Sequence, residues 1–216
     1  MADPNFVIRQ CPNPECDFRF PAPAVGPAGH FCPRCGWETQ IILTPNPSGK
    51  ARIIPPSPGR PVVEALLDNI RSTYNVGSII RASDGAGLKR LHLCGITPTP
   101  ENSKVAKTAL GAECSVDWTY HASALSAAVE LKEQGFLIYA LEVTPDAHSI
   151  FEASPQHLNS PLLLVVGNEV TGIDPDILKI SDQVVWIPMA GKKESLNVSL
   201  AFGIAAYILS FSNNRK

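Results

Sequence analysis

Short apolar runs alternate with amphipathic stretches between residues 62 and 211, and this pattern predicts alternating strands and helices. The apolar runs that we interpret as strands are 62–67, 91–94, 116–120, 136–141, 162–166 and 184–187. The stretches that we interpret as helices are 76–87, 104–110, 122–134, 177–180 and 196–211. Strands that alternate with helices in this way predict an α/β domain with a mostly parallel sheet.

Residues 1–61 show little helical or strand periodicity and differ in composition from the rest of the chain. They hold thirteen of the twenty prolines and four of the six cysteines. The stretch 44–61 is rich in proline and glycine, which favours an extended linker, and its basic residues fit phosphate contact and simple solvation equally well. We therefore expect a small element at 1–43, a linker at 44–61 and the α/β domain at 62–216.

The N-terminal cysteines form two close pairs, which are Cys11 with Cys16 and Cys32 with Cys35. Two such pairs in turns rich in proline or glycine match a tetrahedral structural zinc site, although the first spacing is wider than the commonest one. Two disulfides or four unrelated thiols are the alternatives, and a reducing compartment disfavours the disulfides. The pattern resembles a zinc ribbon, in which metal binding would supply folding energy on the order of 10 kcal/mol.

Composition and charge narrow the classes of function. The chain has 216 residues, of which 44% are hydrophobic and 18% charged, so it should fold around one sizeable core with an appendage. It shows no apolar run long enough to cross a bilayer and no secretory signal at its start, so we expect a cytoplasmic protein without membrane contact. The formal net charge of -2 means that any nucleic-acid-binding face must be local.

Three polar clusters follow predicted apolar strands, at the strand ends where open α/β sheets bind ligands. Their most informative side chains are Asn75 and Arg81 in the first cluster, Glu169 in the second, and Ser195 and Asn197 in the third. Each cluster alone also has an ordinary structural interpretation, as a helix start with an exposed arginine, a tight turn, or a plain strand-to-helix connection. Glycine-rich dinucleotide and phosphate loops are absent from the sequence, as is a nucleophile elbow.

Taken together, the three clusters resemble the ordered motifs of the SpoU (TrmH-like) RNA ribose 2'-O-methyltransferases, part of the SPOUT superfamily. The matching stretches are Asn75-x-Gly77-x-x-x-Arg81, Gly167-x-Glu169-x-x-Gly172, and Ile187-Pro-Met-x-Gly191 continuing to Ser195-Leu-Asn-Val-Ser199. The resemblance covers roughly residues 62–211, and every motif position is matched.

This resemblance implies an α/β fold with a deep trefoil knot at its C-terminal end, an exception to the near-absence of knots in proteins. It implies S-adenosylmethionine bound in the knot and a homodimer with the site at the subunit interface. Groups around Gly167, Ile187, Met189 and Leu196 would hold the cofactor.

The resemblance also implies catalytic roles for Arg81, Glu169, Ser195, Asn197 and Asn75. Arg81 would reach the target ribose from its own subunit or from the partner, and Glu169 would orient an arginine or the ligand. Ser195 and Asn197 would complete the site, and Asn75 would support the catalytic loop and position the RNA. Because arginine stays charged in proteins, we expect Arg81 to bind a phosphate and stabilise alkoxide charge rather than act as the base.

The function that we expect is S-adenosylmethionine-dependent methylation of a ribose 2'-hydroxyl, in transfer RNA in preference to ribosomal RNA. A non-catalytic RNA-binding or assembly protein that retains the fold is the main alternative, and a methyltransferase for a base or a protein is another. The zinc ribbon would serve either as a clamp on RNA or as a module that docks another protein.

Overall fold

The computed structural model describes residues 6–45, 60–153 and 160–211. The chain divides into two compact units, Met1–Pro55 and Pro56–Lys216. Most of the predicted linker lies outside the described residues, as do the last residues of the chain.

The N-terminal unit contains a small antiparallel sheet with the strand order β2-β1-β3. Its strands are β1 (Phe6–Gln10), β2 (Arg19–Pro23) and β3 (Gln40–Leu43). Periodicity did not predict these strands because they are short, and because β2 contains two prolines, a residue type that sheets tolerate at their edges. The sheet carries the two cysteine-bearing turns.

The larger unit is built on a parallel seven-stranded sheet with the order β6-β5-β4-β9-β7-β10-β8. Its strands are β4 (Val63–Asp68), β5 (Arg90–Cys94), β6 (Asp117–His121), β7 (Leu137–Leu141), β8 (His148–Ser149), β9 (Leu162–Val166) and β10 (Gln183–Trp186). The helices are α1 (Thr73–Ala86), α2 (Ser103–Ala109), α3 (Ala124–Glu133), α4 (Pro175–Ile180) and α5 (Val198–Phe211). The mostly parallel α/β domain is confirmed, and among the described strands of this unit the two-residue β8 is the one that was not predicted.

Two helix starts differ from the prediction in a way that matters for the site. Helix α1 begins three residues early because the Ser72 hydroxyl accepts a hydrogen bond from the Asn75 amide and caps the helix. Asn75 is thus inside the first turn, and its side chain is free for other partners. Helix α5 begins two residues late, at Val198, so Asn197 stands just before the helix rather than in its first turn.

The core has two layers, because β4 and β9 are buried along their whole length and send alternate side chains to opposite faces of the sheet. Helices α1, α2 and α5 pack on the face that holds Leu67, and α3 and α4 pack on the face that holds Leu66. The motif glycine Gly77 serves this packing, since a Cβ there would lie 2.6 Å from the Thr108 Cβ of α2. No helix in the described parts of the chain is long and apolar enough to cross a membrane.

A buried polar chain crosses three neighbouring strands of the sheet. The His92 Nε2 lies 2.9 Å from a Glu64 carboxylate oxygen, and the His92 Nδ1 lies 2.9 Å from the His121 Nε2. Hydrogen bonding to His92 lowers the pKa of Glu64, and burial, followed by the charge of His92, lowers the pKa of His121. No pattern in the sequence indicated that these two histidines meet.

These shifts predict that acid destabilises the fold in two stages. Both groups bind protons more readily in the unfolded chain, so the stability they contribute is present above the unfolded pKa and is lost as pH falls. The part due to His121 should decline below pH 6.5, and the part due to Glu64 below pH 4.5. Urea unfolding at several pH values measures this, and His121→Gln should flatten only the upper stage. The exposed His148→Gln is the control, and an equal effect of both variants would contradict the assignment.

Candidate active site

A cavity of about 450 Å³ opens at the C-terminal ends of β7, β9 and β10 and at the start of α5. Gly167 and Glu169 of the second motif line it, together with Ile187, Met189, Ser195, Leu196 and Asn197 of the third motif. The fold therefore brings two of the three motifs to one pocket, at the strand ends where the sequence placed them. The pocket also falls in the size range of sites for small molecules and cofactors.

The Glu169 carboxylate links the second motif to the first. It accepts hydrogen bonds from the backbone N–H groups of Arg71 (2.9 Å) and Ser72 (3.1 Å) and from the Asn75 side-chain amide (2.8 Å). Burial alone would raise the pKa of Glu169, but these N–H donors hold it below its usual value, so the carboxylate is charged at neutral pH. Its negative charge also lies at the N-terminus of α1, where the helix dipole favours it.

The third motif joins the same network through Asn197. Its side-chain amide donates to the Asn75 side-chain oxygen (3.1 Å), and its own side-chain oxygen accepts from the Ser199 amide (2.9 Å) and the Ser199 hydroxyl (2.7 Å). Glu169, Asn75 and Asn197 therefore form one hydrogen-bonded chain across all three motifs. Each amide has a fixed orientation because one of its ends can only donate and the other can only accept.

Two asparagines outside the predicted set of site residues hold the first two motifs together. The Asn168 side-chain amide donates to the Asn69 backbone carbonyl (2.7 Å), and the Asn168 side-chain oxygen accepts from the backbone amides of Val170 and Thr171. Asn69 has a positive φ of 58°, a conformation that asparagine adopts more readily than most residues. An asparagine beside each motif loop was the available signal, because this residue type stabilises turns.

Glu142 is a further pocket residue that the sequence analysis missed. It directly follows β7, and its carboxylate accepts from the amides of Val143 (3.0 Å) and Ile173 (3.1 Å). The rule that ligands bind at the C-terminal ends of parallel strands would have found it, because 136–141 was already a predicted strand.

Arg81 lies apart from this pocket within one chain. It is exposed and lines a second cavity of about 450 Å³ with Gly111 and Ser115. Six helical residues rotate a side chain by about 240°, so Arg81 and Asn75 leave α1 in different directions. The structure thus gathers Asn75, Glu169 and Asn197 but does not bring Arg81 to them.

The hydrogen-bonded chain predicts strong coupling between Asn75 and Asn197. Each alanine substitution should lower the rate of the reaction that the motifs imply about tenfold, and the double variant should lose much less than the product of the two effects. Single-turnover kinetics on the two single variants and the double variant measures this. Pairing Asn75→Ala with Ser123→Ala, which uncaps α3 on the other face of the sheet, gives the control. If the effects of the Asn75 and Asn197 substitutions on the activation free energy simply add, the coupling is contradicted.

The four N-terminal cysteines form a second candidate site. Their sulfur atoms lie within 4.8 Å of one another, and the pairs Cys11–Cys35 and Cys16–Cys32 are 3.4 and 3.7 Å apart. None of them forms a disulfide. Four sulfurs at about 2.3 Å from a tetrahedral zinc would be about 3.8 Å apart, so the cluster has the dimensions of a zinc site.

Comparisons with known proteins agree with this geometry. The model of the SpoU rRNA Methylase family matches residues 63–207. The tRNA (guanosine(18)-2'-O)-methyltransferase of Escherichia coli K12 is 31% identical over 163 residues, which cover 75% of this chain and 69% of the relative.

Two solved structures resemble the fold. The TrmH/SpoU tRNA modifying enzyme of Aquifex aeolicus has a TM-score of 0.61 at 29% identity, with 68% of this chain and 73% of that chain covered. The AdoMet-bound rRNA methyltransferase of Sinorhizobium meliloti has a TM-score of 0.66 at 23% identity, with 74% of this chain covered. The match spans 59% of the Sinorhizobium chain, and at this identity it shows the fold alone.

The fold, the pocket at its strand ends and the three connected motifs define the class of protein as a methyltransferase. Within that class, the chain belongs to the SpoU rRNA Methylase family.

Proposed function

We propose that this protein transfers the methyl group of S-adenosylmethionine to a ribose 2'-hydroxyl of transfer RNA. The observation that carries the proposal is the hydrogen-bonded chain from Glu169 through Asn75 to Asn197 at the mouth of the cavity. A network that fixes polar groups from three separate segments beside a cofactor-sized pocket suits a reaction that depends on alignment.

The residues of the pocket suit S-adenosylmethionine. Apolar walls from Val166, Ile187 and Leu196 would hold the adenine, and the charged side chains that line the cavity are carboxylates, which suit a cation. Gly167 and Met189 would complete the adenosyl site. The cofactor supplies an activated methyl group on a sulfonium.

The protein's own groups would align the ribose hydroxyl and stabilise charge as its proton leaves. Ser195 and Asn197 line the cavity and would face the transferring methyl group. Glu169 would fix the start of α1, and Asn75 would position the RNA. Arg81 would bind the adjacent phosphate from the other subunit of a homodimer, which its separation from the pocket within one chain favours.

Transfer RNA is the proposed substrate because the Escherichia coli relative and the Aquifex structure carry names of tRNA-modifying enzymes. The Sinorhizobium structure carries the name of an rRNA methyltransferase, so ribosomal RNA is the second candidate. The deep trefoil knot, the cytoplasmic location and the division into 1–43, 44–61 and 62–216 belong to the same proposal.

The proposed zinc ribbon binds one structural zinc through Cys11, Cys16, Cys32 and Cys35. Because four thiolates complete a tetrahedron, the metal would have no open position for catalysis. The ribbon would help to hold the RNA.

Incubation of the protein with labelled S-adenosylmethionine and total RNA tests the activity. We expect label in the tRNA fraction, and mass spectrometry of nuclease digests should locate it on a ribose. Label on a base would identify a different methyltransferase, and label in ribosomal RNA would change the substrate. RNA binding without any transfer would support the non-catalytic alternative instead.

A further inference from the structure

The charged side chains that line the cavity all carry the same sign. Glu142, Glu169 and Glu194 line it, and no lysine or arginine does so within the part of the chain that the structure describes. Carboxylates in a cavity wall favour a cationic ligand over a neutral ligand of the same shape.

The three carboxylates are not equivalent. Glu169 accepts three N–H groups at the start of α1, so the donors and the helix dipole offset much of its charge. Glu194 lies on an exposed loop, where water and salt screen its field. Glu142 is only partly exposed and forms part of the cavity wall. It accepts two backbone N–H groups rather than three, so it keeps more of its charge toward a bound ligand than Glu169 and is less screened than Glu194.

Glu142 is also held in place by the backbone around it. One carboxylate oxygen accepts from the Val143 amide and the other from the Ile173 amide, which ties the end of β7 to the loop after β9. The oxygen that accepts from Ile173 would lie 2.5 Å from a Cβ at position 172. Only glycine at that position therefore leaves room for this arrangement. A fixed charge discriminates better than a mobile one because it need not reorganise when the ligand binds.

We propose that Glu142 makes the cofactor pocket selective for the sulfonium of S-adenosylmethionine over the neutral thioether of S-adenosylhomocysteine. The inference rests on the proposed function, because it concerns the same pocket. In the proposed methyl transfer the carbon–sulfur bond would break, the sulfur would keep the electron pair and become neutral, and the ribose oxygen would gain the methyl group and release its proton to water. The product therefore loses the attraction to Glu142, and its release becomes easier.

The test compares the affinities of the two ligands by isothermal titration calorimetry on the full-length protein. Glu142→Gln keeps the size of the side chain and an acceptor oxygen but removes the charge. We expect it to weaken S-adenosylmethionine binding about tenfold and to change S-adenosylhomocysteine binding less than about twofold. Glu133→Gln, which removes one charge from the exposed surface of α3, is the matched control and should change neither affinity.

Salt provides a second readout. The preference of the wild-type protein for the sulfonium should shrink as salt rises, and Glu142→Gln should remove most of that dependence. If Glu142→Gln loses equal affinity for both ligands, Glu142 only shapes the pocket. That result would overturn the inference and leave the proposed function intact. If the wild-type protein binds neither ligand, the proposed function itself fails.

Discussion

Gly167→Ala should strongly weaken both cofactor binding and the fold. A Cβ at this position would lie 2.3 Å from the Gly172 carbonyl carbon and from the Ile173 nitrogen, both of which are backbone atoms. Backbone cannot swing aside as the end of a flexible side chain can, so the loop after β9 must move as a whole. That movement would displace Glu169, which anchors the start of α1, and would open the cavity wall.

We expect Gly167→Ala to cost about 3 kcal/mol of unfolding free energy and to lower cofactor affinity at least about 100-fold. Urea unfolding and calorimetric titration with S-adenosylmethionine measure the two effects. Gly191→Ala is the control, because Gly191 belongs to the third motif and a Cβ there would meet nothing within 4 Å. Comparable losses from the two substitutions would show that close packing at Gly167 is not the cause.

Loss of the proposed zinc should unfold the N-terminal unit. A sheet of three short strands buries few side chains, and apart from cysteines the buried apolar residues described in this unit are Val7 and Ala22. Such a unit cannot offset its loss of chain entropy without metal, whose binding contributes on the order of 10 kcal/mol. We therefore expect purified protein to contain one zinc per chain, and Cys32→Ser to lose it.

Elemental analysis measures the zinc content, and limited proteolysis measures the folding of the N-terminal unit. Cys32→Ser should expose residues 6–45 to rapid cleavage while the larger unit stays resistant. Cys114→Ser is the control, since Cys114 is an exposed cysteine outside the cluster and should leave the metal content unchanged. A zinc-free wild-type protein that resists cleavage would contradict the prediction.

The candidate site could be predicted only in part, and the two asparagines of its network illustrate why. The residue types and their order along the chain pointed to Asn75 and Asn197, because polar groups after apolar strands are a local pattern. Their hydrogen bond joins residues that are 122 positions apart in the chain. Nothing local in the sequence encodes such a contact, since it depends on how the sheet orders its strands.

The same distinction explains the residues that were missed and the one that lies apart from the pocket. Glu142 carried no motif, and His92 and His121 had no ligand spacing, yet pairing of neighbouring strands placed each among its partners. Arg81 was grouped with Asn75 because both belong to one motif. The rotation of the helix instead sends Arg81 to a separate cavity.

The sequence by itself determined the alternation of strands and helices, the four-cysteine cluster and the identity of the motifs. The alternation and the cysteine pairs follow from short-range physics, which comprises side-chain periodicity, turn chemistry and the preference of metals for thiolates, and the motifs were identified by their resemblance to a known family. Only the tertiary structure decided that Glu169, Asn75 and Asn197 form one chain, that Gly167 has no room for a Cβ, and that Glu142 faces the pocket. Those features depend on distances between segments far apart in the chain, which packing of the sheet and helices sets.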